Sequence, residues 1–197
     1  METKDIQYTE RLISMQYAFW KKLLYVQWPF KYNLSRLHLG YVLDVGCGIG
    51  RNLINLNGSG VGVDHNEHSV KICRQHRLLA YTPQEFLDSE YAHAGTFDSM
   101  LLSHVVEHIE EEPARGLIDT YCRYLKPGGK IVLITPQRAG FKSDSTHVRY
   151  VGFKEMGDLC ACLNLKITRQ YSFPFPAFVG DYFRYNEHVV IATAGGS

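Results

Sequence analysis

No apolar run in this chain of 197 residues approaches the length that a helix needs to cross a bilayer, roughly 20 residues. A membrane span is therefore not expected. The opening METKDIQYTERLISMQ has neither the basic start nor the apolar stretch of a secretory signal. Cysteine is sparse: Cys47, Cys73, Cys122, Cys160 and Cys162 are odd in number and scattered. That excludes a disulfide framework and fits reduced thiols in a cytoplasmic protein. Cys160 and Cys162 stand two apart, so on a helix they point in different directions and make no metal pair. An excess of one charge is also missing, with 21 Lys and Arg against 20 Asp and Glu. Nucleic-acid binders carry a basic excess or stripe, so nucleic acid is not an expected partner. Repeats, low-complexity tracts and linkers are absent as well. The expectation is one soluble domain over 1–197, as a monomer or homodimer.

What the chain does have is alternation. YVLDV (41–45), GVGVD (60–64), LLAYT (78–82), FDSMLL (97–102) and KIVLIT (130–135) read as buried strands. Helices are predicted from about Arg51, over about 67–77, over about 111–125 and over 153–163. Glu110, Glu111 and Glu112 suit the positive N-terminal end of the third of these, with Pro113 in its first turn. KPGG (126–129) reads as a turn. LKITRQY (165–171) and EHVVIAT (187–193) are the last strands. Aromatic residues Tyr8, Tyr17, Phe19, Trp20, Tyr25 and Trp28 predict one or two amphipathic helices ending near Pro29. Strands alternating with helices predict a doubly wound α/β fold with helices on both faces of a mostly parallel sheet. Ligands of such sheets sit beyond the C-terminal ends of the strands.

Asp44-Val45-Gly46-Cys47-Gly48-Ile49-Gly50 falls at such an end, between a strand and a helix. Glycines there permit positive φ and let a ligand touch the main chain. A dinucleotide fingerprint reads G-x-G-x-x-G; here the spacing is G-x-G-x-G, and Arg51 takes the place of its third glycine. Asp44 stands directly before the turn, where a carboxylate would repel a pyrophosphate and attract an amino group. A bare tight turn would also be glycine-rich. Asp64 ends the second strand, where it can accept the ribose hydroxyls of an adenosine or cap the next helix.

DVGCGIGRNL and VGVDHN resemble the first two motifs of the class I S-adenosylmethionine (SAM)-dependent methyltransferases. FDSMLLSHVVEHI and LKPGGKIVLITP resemble the fourth-strand segment and its successor in the small-molecule, type 11-like branch. The resemblance covers about 40–136. It implies a Rossmann-like seven-stranded sheet whose last strand, EHVVIAT, is antiparallel. It implies SAM as cofactor, S-adenosylhomocysteine (SAH) as product and a small-molecule acceptor. Gly46, Gly48 and Gly50 would face the methionine part and Asp44 its amino group. Asp64 would hold the ribose, with His65 beside it, and Cys47 and Ser103 complete the cofactor set. Thr82 stands where the family usually offers the adenine an acid. Residues 1–38 would form a helical lid, 40–136 the cofactor half and 137–197 the substrate half.

Methyl transfer needs an aligned acceptor and, for a hydroxyl, a proton acceptor. His147, in SDSTHVRY, is the expected general base, with His104 and His108 as further catalytic candidates. No metal is expected, although His104, Glu107, His108 and His147 are the set that would bind one: residues three and four apart share a helical face, and His with Glu suits a divalent ion. Ubiquinone-biosynthesis and RNA 3′-terminal 2′-O-methyltransferases, which use metal, resemble this segment with E-x-x-E-H; here His104 replaces the first acid. A packing or loop-orienting role is the alternative for these histidines. The stretch Ser172–Phe178 carries two prolines and cannot be a central strand. Phe173, Phe175, Phe178, Tyr182, Phe183 and Tyr185 either roof the site or pack the sheet edge. The acceptor expected is a sugar, quinone or other metabolite hydroxyl. A non-catalytic SAM-binding domain and an NAD-dependent oxidoreductase are the alternatives.

Overall fold

A computed structural model describes residues 27–194. The aromatic residues Tyr8 to Tyr25, and with them most of the expected N-terminal lid, lie outside the described residues. The elements run α1 (Gln27–Arg36), β1 (Val42–Val45), α2 (Arg51–Asn55), β2 (Gly60–Val63), α3 (Glu67–Gln75), β3 (Ala80–Tyr81) and α4 (Pro83–Leu87). They continue with β4 (Phe97–Ser103), α5 (Glu111–Cys122), β5 (Leu125–Pro136), α6 (Arg138–Lys142), α7 (Phe153–Cys162), β6 (Leu165–Phe173) and β7 (Glu187–Ala194). Short 3₁₀ turns cover Val106–His108 and Ala177–Asp181. The seven strands are ordered β3-β2-β1-β4-β5-β7-β6. Pairing is parallel except along β7, which runs antiparallel to both β5 and β6. The doubly wound sheet with a reversed last strand is as the sequence implied.

By backbone contacts the chain divides into two compact units, residues 1–91 and 92–197. In the first, β1 and β2 are buried at every position. That is why they read as unbroken apolar runs rather than alternating ones. Val42, Leu43, Val61 and Val63 form the centre, covered by Leu53 of α2, Val70 and Cys73 of α3 and Phe86 of α4. In the second unit, Met100 to Leu102 of β4 and Ile131 to Leu133 of β5 are buried alike, packed with Ile118 of α5 and Met156 and Leu159 of α7.

Three local expectations change. α1 continues through Pro29 instead of ending there, because proline bars a helix chiefly upstream of itself and its own φ is helical. The KPGG segment lies inside β5; its irregularity is absorbed as a register shift between Phe97 and Ser99 of β4. The third strand shrinks to two residues, since Thr82 turns the chain into α4 by a full capping box with Glu85.

The segment between β6 and β7 is tied down by buried amides. Asn186 donates to Gln137 Oε1 at 3.0 Å and to the Phe175 and Pro176 carbonyls at 3.1 and 3.2 Å, and accepts from the Phe175 amide at 2.8 Å. Gln137 Nε2 faces Ser172 Oγ at 2.6 Å and the Glu187 carbonyl at 3.1 Å. Gly180 lies against this pair: a Cβ there would stand 1.6 Å from Gln137 Oε1. Gly180→Ala is therefore expected to lower stability by about 1–3 kcal/mol through overpacking. Urea unfolding checks it, as a lower midpoint at an unchanged slope.

Candidate active site

In the first unit the loops after β1, β2 and β3 share the C-terminal edge of those strands. After β1 the chain turns at once, because the Gly46 and Cys47 amides both donate to the Val63 carbonyl, at 2.8 and 3.2 Å. Gly46, Gly48 and Gly50 have φ of 75°, 53° and 81°, a region that costs other residues about 1–2 kcal/mol. The glycines nevertheless differ. A Cβ on Gly48 would project into open space, whereas one on Gly50 would meet Leu78 Cδ1 at 2.5 Å and Cys73 Sγ at 3.0 Å. Gly48 thus leaves room above the turn, and Gly50 leaves room for the core. Cys47 also turns inward, packing with Val70, Cys73 and Ala80; only its backbone stays on the turn.

Asp44 is wholly buried and neither of its carboxylate oxygens makes a hydrogen bond of good geometry. Burial pushes its pKa up to about 7; the Asn52 side chain and Arg51 oppose this, and Asp64 adds to it. A buried acceptor pair without a donor is costly, and an ammonium group relieves that cost. Asp64 is engaged differently. Its Oδ2 accepts from the Gly48 amide at 2.7 Å and its Oδ1 from the Asn66 amide at 2.9 Å. Each oxygen keeps a lone pair for a further donor. Asp64 does not cap α3; Asn66 does, accepting from the His68 and Ser69 amides. His65 stands beside Asp64, Nδ1 to Oδ1 at 3.8 Å, and is well exposed. The Thr82 hydroxyl accepts from the Glu85 amide and its own amide donates to Glu85 Oε2, so its first role is to start α4.

In the second unit, β4 ends at Ser103 and the chain bends at His104, whose φ is 58°. The expected helical face of His104, Glu107 and His108 does not form: the 3₁₀ turn covers only Val106–His108, and His104 precedes it. His104 and Glu107 still meet, Nδ1 to Oε1 at 3.2 Å, and His104 Nε2 lies 2.8 Å from Glu187 Oε1. Loss of water would lower the His104 pKa, but the Glu107 and Glu187 carboxylates outweigh it and raise it to about 9. The two carboxylates therefore favour the protonated form of His104, one of the expected catalytic candidates. Nothing in the sequence pattern marked Glu187, the first residue of the closing strand.

Glu107, His108 and His147 converge, their ligand atoms within 4.8 Å of one another. The His108 and His147 rings are 4.7 Å apart, and His147 stacks on Phe141 at 5.2 Å. Both rings face carbonyls through Nδ1: His147 the Phe141 oxygen at 2.7 Å, His108 the Thr146 oxygen at 3.2 Å. A carbonyl only accepts, so each Nδ1 carries a proton and Nε2 is the position left for a lone pair. Burial holds the His108 pKa below its usual value, with His147 lowering it further and Glu107 opposing. Glu107 is fully buried and its oxygens make no hydrogen bond of good geometry.

A Rossmann-like sheet with this turn and this acid defines the class I SAM-dependent methyltransferase fold. Residues 22–170 match the family model described as a methyltransferase domain, and the chain belongs to that family. A ubiquinone biosynthesis O-methyltransferase of Xanthomonas oryzae pv. oryzae is 33% identical over 117 residues, which cover 54% of this chain and 48% of that protein. The chain spans about half the length of the curated relatives it matches. A SAM-dependent methyltransferase from Archaeoglobus fulgidus superposes with a TM-score of 0.64 at 21% identity, over 83% of this chain and 92% of the other. One from Thermotoga maritima gives a TM-score of 0.70 at 16% identity, over 94% and 97%. At these identities the structural likeness establishes the fold.

Asp44 generates a stability test. Its folded pKa of about 7 lies above the ordinary 3.8. The stability it contributes is complete below pH about 4 and is lost as pH rises through about 7. Asp44→Asn bears no charge, so in the absence of ligand it is expected to exceed wild type at pH 8 by on the order of 2–4 kcal/mol. The advantage should vanish near pH 4. Urea midpoints across that range measure it.

Proposed function

We propose that this chain is a SAM-dependent methyltransferase acting on the hydroxyl of a small metabolite such as a sugar, quinone or phenol, and that it works in the cytoplasm as one catalytic domain. The observation that carries the reading is Asp44, buried with two unpartnered oxygens beside a glycine turn that is open above Gly48. Asp44 would receive the cofactor's amino group and the open backbone at Gly48 its methionine part. The spare lone pairs of Asp64 would receive the ribose, with His65 at its edge; Gly46, Gly50 and the Cys47 backbone shape the turn, while Thr82 follows β3 and Ser103 ends β4. An acid ahead of the turn disfavours the pyrophosphate of NAD. Among the described residues no helix is long and apolar enough to cross a membrane.

Bound SAM supplies an electrophilic methyl group. The protein's part is to align the acceptor and take its proton. His147 suits that part: its Nδ1 proton is committed to the Phe141 carbonyl, so Nε2 can accept. His147 Nε2 would take the proton that a hydroxyl acceptor must release on methylation. His108 would assist as a neutral neighbour. His147→Ala is expected to lower turnover by 10²–10⁴-fold while leaving SAH affinity unchanged; unchanged turnover would remove the base role.

The cofactor assignment is tested by calorimetric titration with SAH, and with NAD⁺ separately. SAH alone should bind. Its affinity should be roughly tenfold weaker at pH 6 than at pH 8, because protonated Asp44 cannot pair with an ammonium, and Asp44→Asn should flatten this dependence. Gly48→Ala should weaken SAH binding at a stability cost of only about 1–2 kcal/mol. Binding of NAD⁺ in place of SAH would reject the reading.

The convergence of Glu107, His108 and His147 favours a second reading in which a divalent ion orients the acceptor oxygen. Protein stripped with EDTA is titrated with Mn²⁺. Binding that is lost in His147→Ala supports this form, and no binding to wild type eliminates it.

A further inference from the structure

His104 stands between two carboxylates, and only one of them belongs to the converging cluster. The other, Glu187, has its backbone held between two strands and its side chain on His104. It is the first residue of β7, in register with Pro136 of β5 and Phe173 of β6. Its carbonyl accepts from Gln137 Nε2 at 3.1 Å. Its side chain is nearly buried, and Oε1 reaches His104 Nε2 at 2.8 Å. A side chain so placed has little freedom and acts as a fixed post.

His104 passes that placement on. Its left-handed backbone, which costs a non-glycine residue about 1–2 kcal/mol, is retained with its amide donating to the Ile134 carbonyl at 2.9 Å. This bend turns the ring so that opposite nitrogens face Glu187 and Glu107. Glu107 Oε1 lies 3.2 Å from the Nδ1 of that ring, and neither Glu107 oxygen makes a hydrogen bond of good geometry. Glu107 in turn holds the loop of His147: its carbonyl accepts from the Val148 and Arg149 amides at 2.8 and 3.3 Å. Its carboxylate lies within 4.8 Å of the ligand nitrogens of His108 and His147.

We propose that Glu187 is a positioning residue: through the His104 imidazole it orients the Glu107 carboxylate, and with it the free ring nitrogens of His108 and His147. This deepens the methyltransferase reading by tying its proton-accepting histidines to a strand of the sheet instead of to the loops that carry them. Precise sites are held by neighbours whose own rotamers are locked on rigid elements, and β7 is such an element. Glu187 touches neither acceptor nor cofactor in this scheme.

The test uses the full chain labelled with ¹⁵N-histidine, as wild type, Glu187→Ala and Glu187→Gln, and reads the side-chain ring signals. Glu187→Ala is expected to shift the signals of His104 and also those of His108 and His147. Glu187→Gln keeps an acceptor for His104 and should return His108 and His147 towards their wild-type positions. If a folded Glu187→Ala protein moves His104 alone, or moves none of the three, the proposal is overturned. If Glu187→Ala does not fold, Glu187→Gln decides: small displacements of all three rings support the proposal, and displacement of His104 alone overturns it. SAH titration of the same proteins separates this from the cofactor reading. Equal affinity in all three is expected; a wild type that binds no SAH would end the methyltransferase reading and leave the ring signals to judge the brace.

Discussion

The hydrogen bond from the Gly48 amide to Asp64 Oδ2, 2.7 Å long, organises the first unit. It joins the turn after β1 to the end of β2, so the turn cannot slide along the sheet edge. With that bond in place, the glycines must follow a left-handed path and the space above Gly48 stays open. Asp44 is left out of water, where burial makes its charged form unfavourable. Asp64 serves the fold and keeps spare acceptor capacity, whereas Asp44 has no well-formed hydrogen bond to offset that cost. This division explains why a strand end can be rigid and receptive together.

The second unit handles its buried acid by another device. Glu107 is as deeply buried as Asp44, yet it has a cationic neighbour supplied by the chain itself. His104 is held between Glu107 and Glu187, so the charge of the buried acid is offset from within the same unit. The His108 and His147 imidazoles are both oriented at Nδ1 by backbone carbonyls rather than by carboxylates, so Nε2 is the nitrogen left to face outward. Two histidines in matching tautomers on adjoining loops can share one proton acceptor role or one ion, and the chemistry at Nε2 is alike in either case.

Much of the fold was legible along the chain. VLDV, GVGV and KIVLIT are apolar at successive positions because both faces of the sheet are covered, and that covering requires helices between them. EHVVIAT reads as a strand, and its reversed direction came from the family resemblance. The glycine spacing and the acids at 44 and 64 were legible too, since a turn that must adopt positive φ admits few other residues. Less visible were the short α4, which depends on a capping box built by Thr82 and Glu85, and the continuation of α1 past Pro29. Both are settled by local hydrogen bonding that periodicity does not register.

The sequence alone determined the class of the protein: parallel strands, a turn with room for a ligand, and an acid suited to an amine. These are properties of near neighbours in the chain, where backbone sterics and burial act residue by residue. Only the tertiary structure decided what each polar group does. It separated Gly48 from Gly50 by what lies opposite them, turned Cys47 into core and assigned Thr82 to a cap. It also raised the His104 pKa to about 9 by setting the ring against Glu107 and against Glu187, 83 residues away, at 2.8 Å. The physical reason is that charge and hydrogen bonding are set by distances in space, and residues far apart in the chain carry no mark of a partner that folding alone brings near.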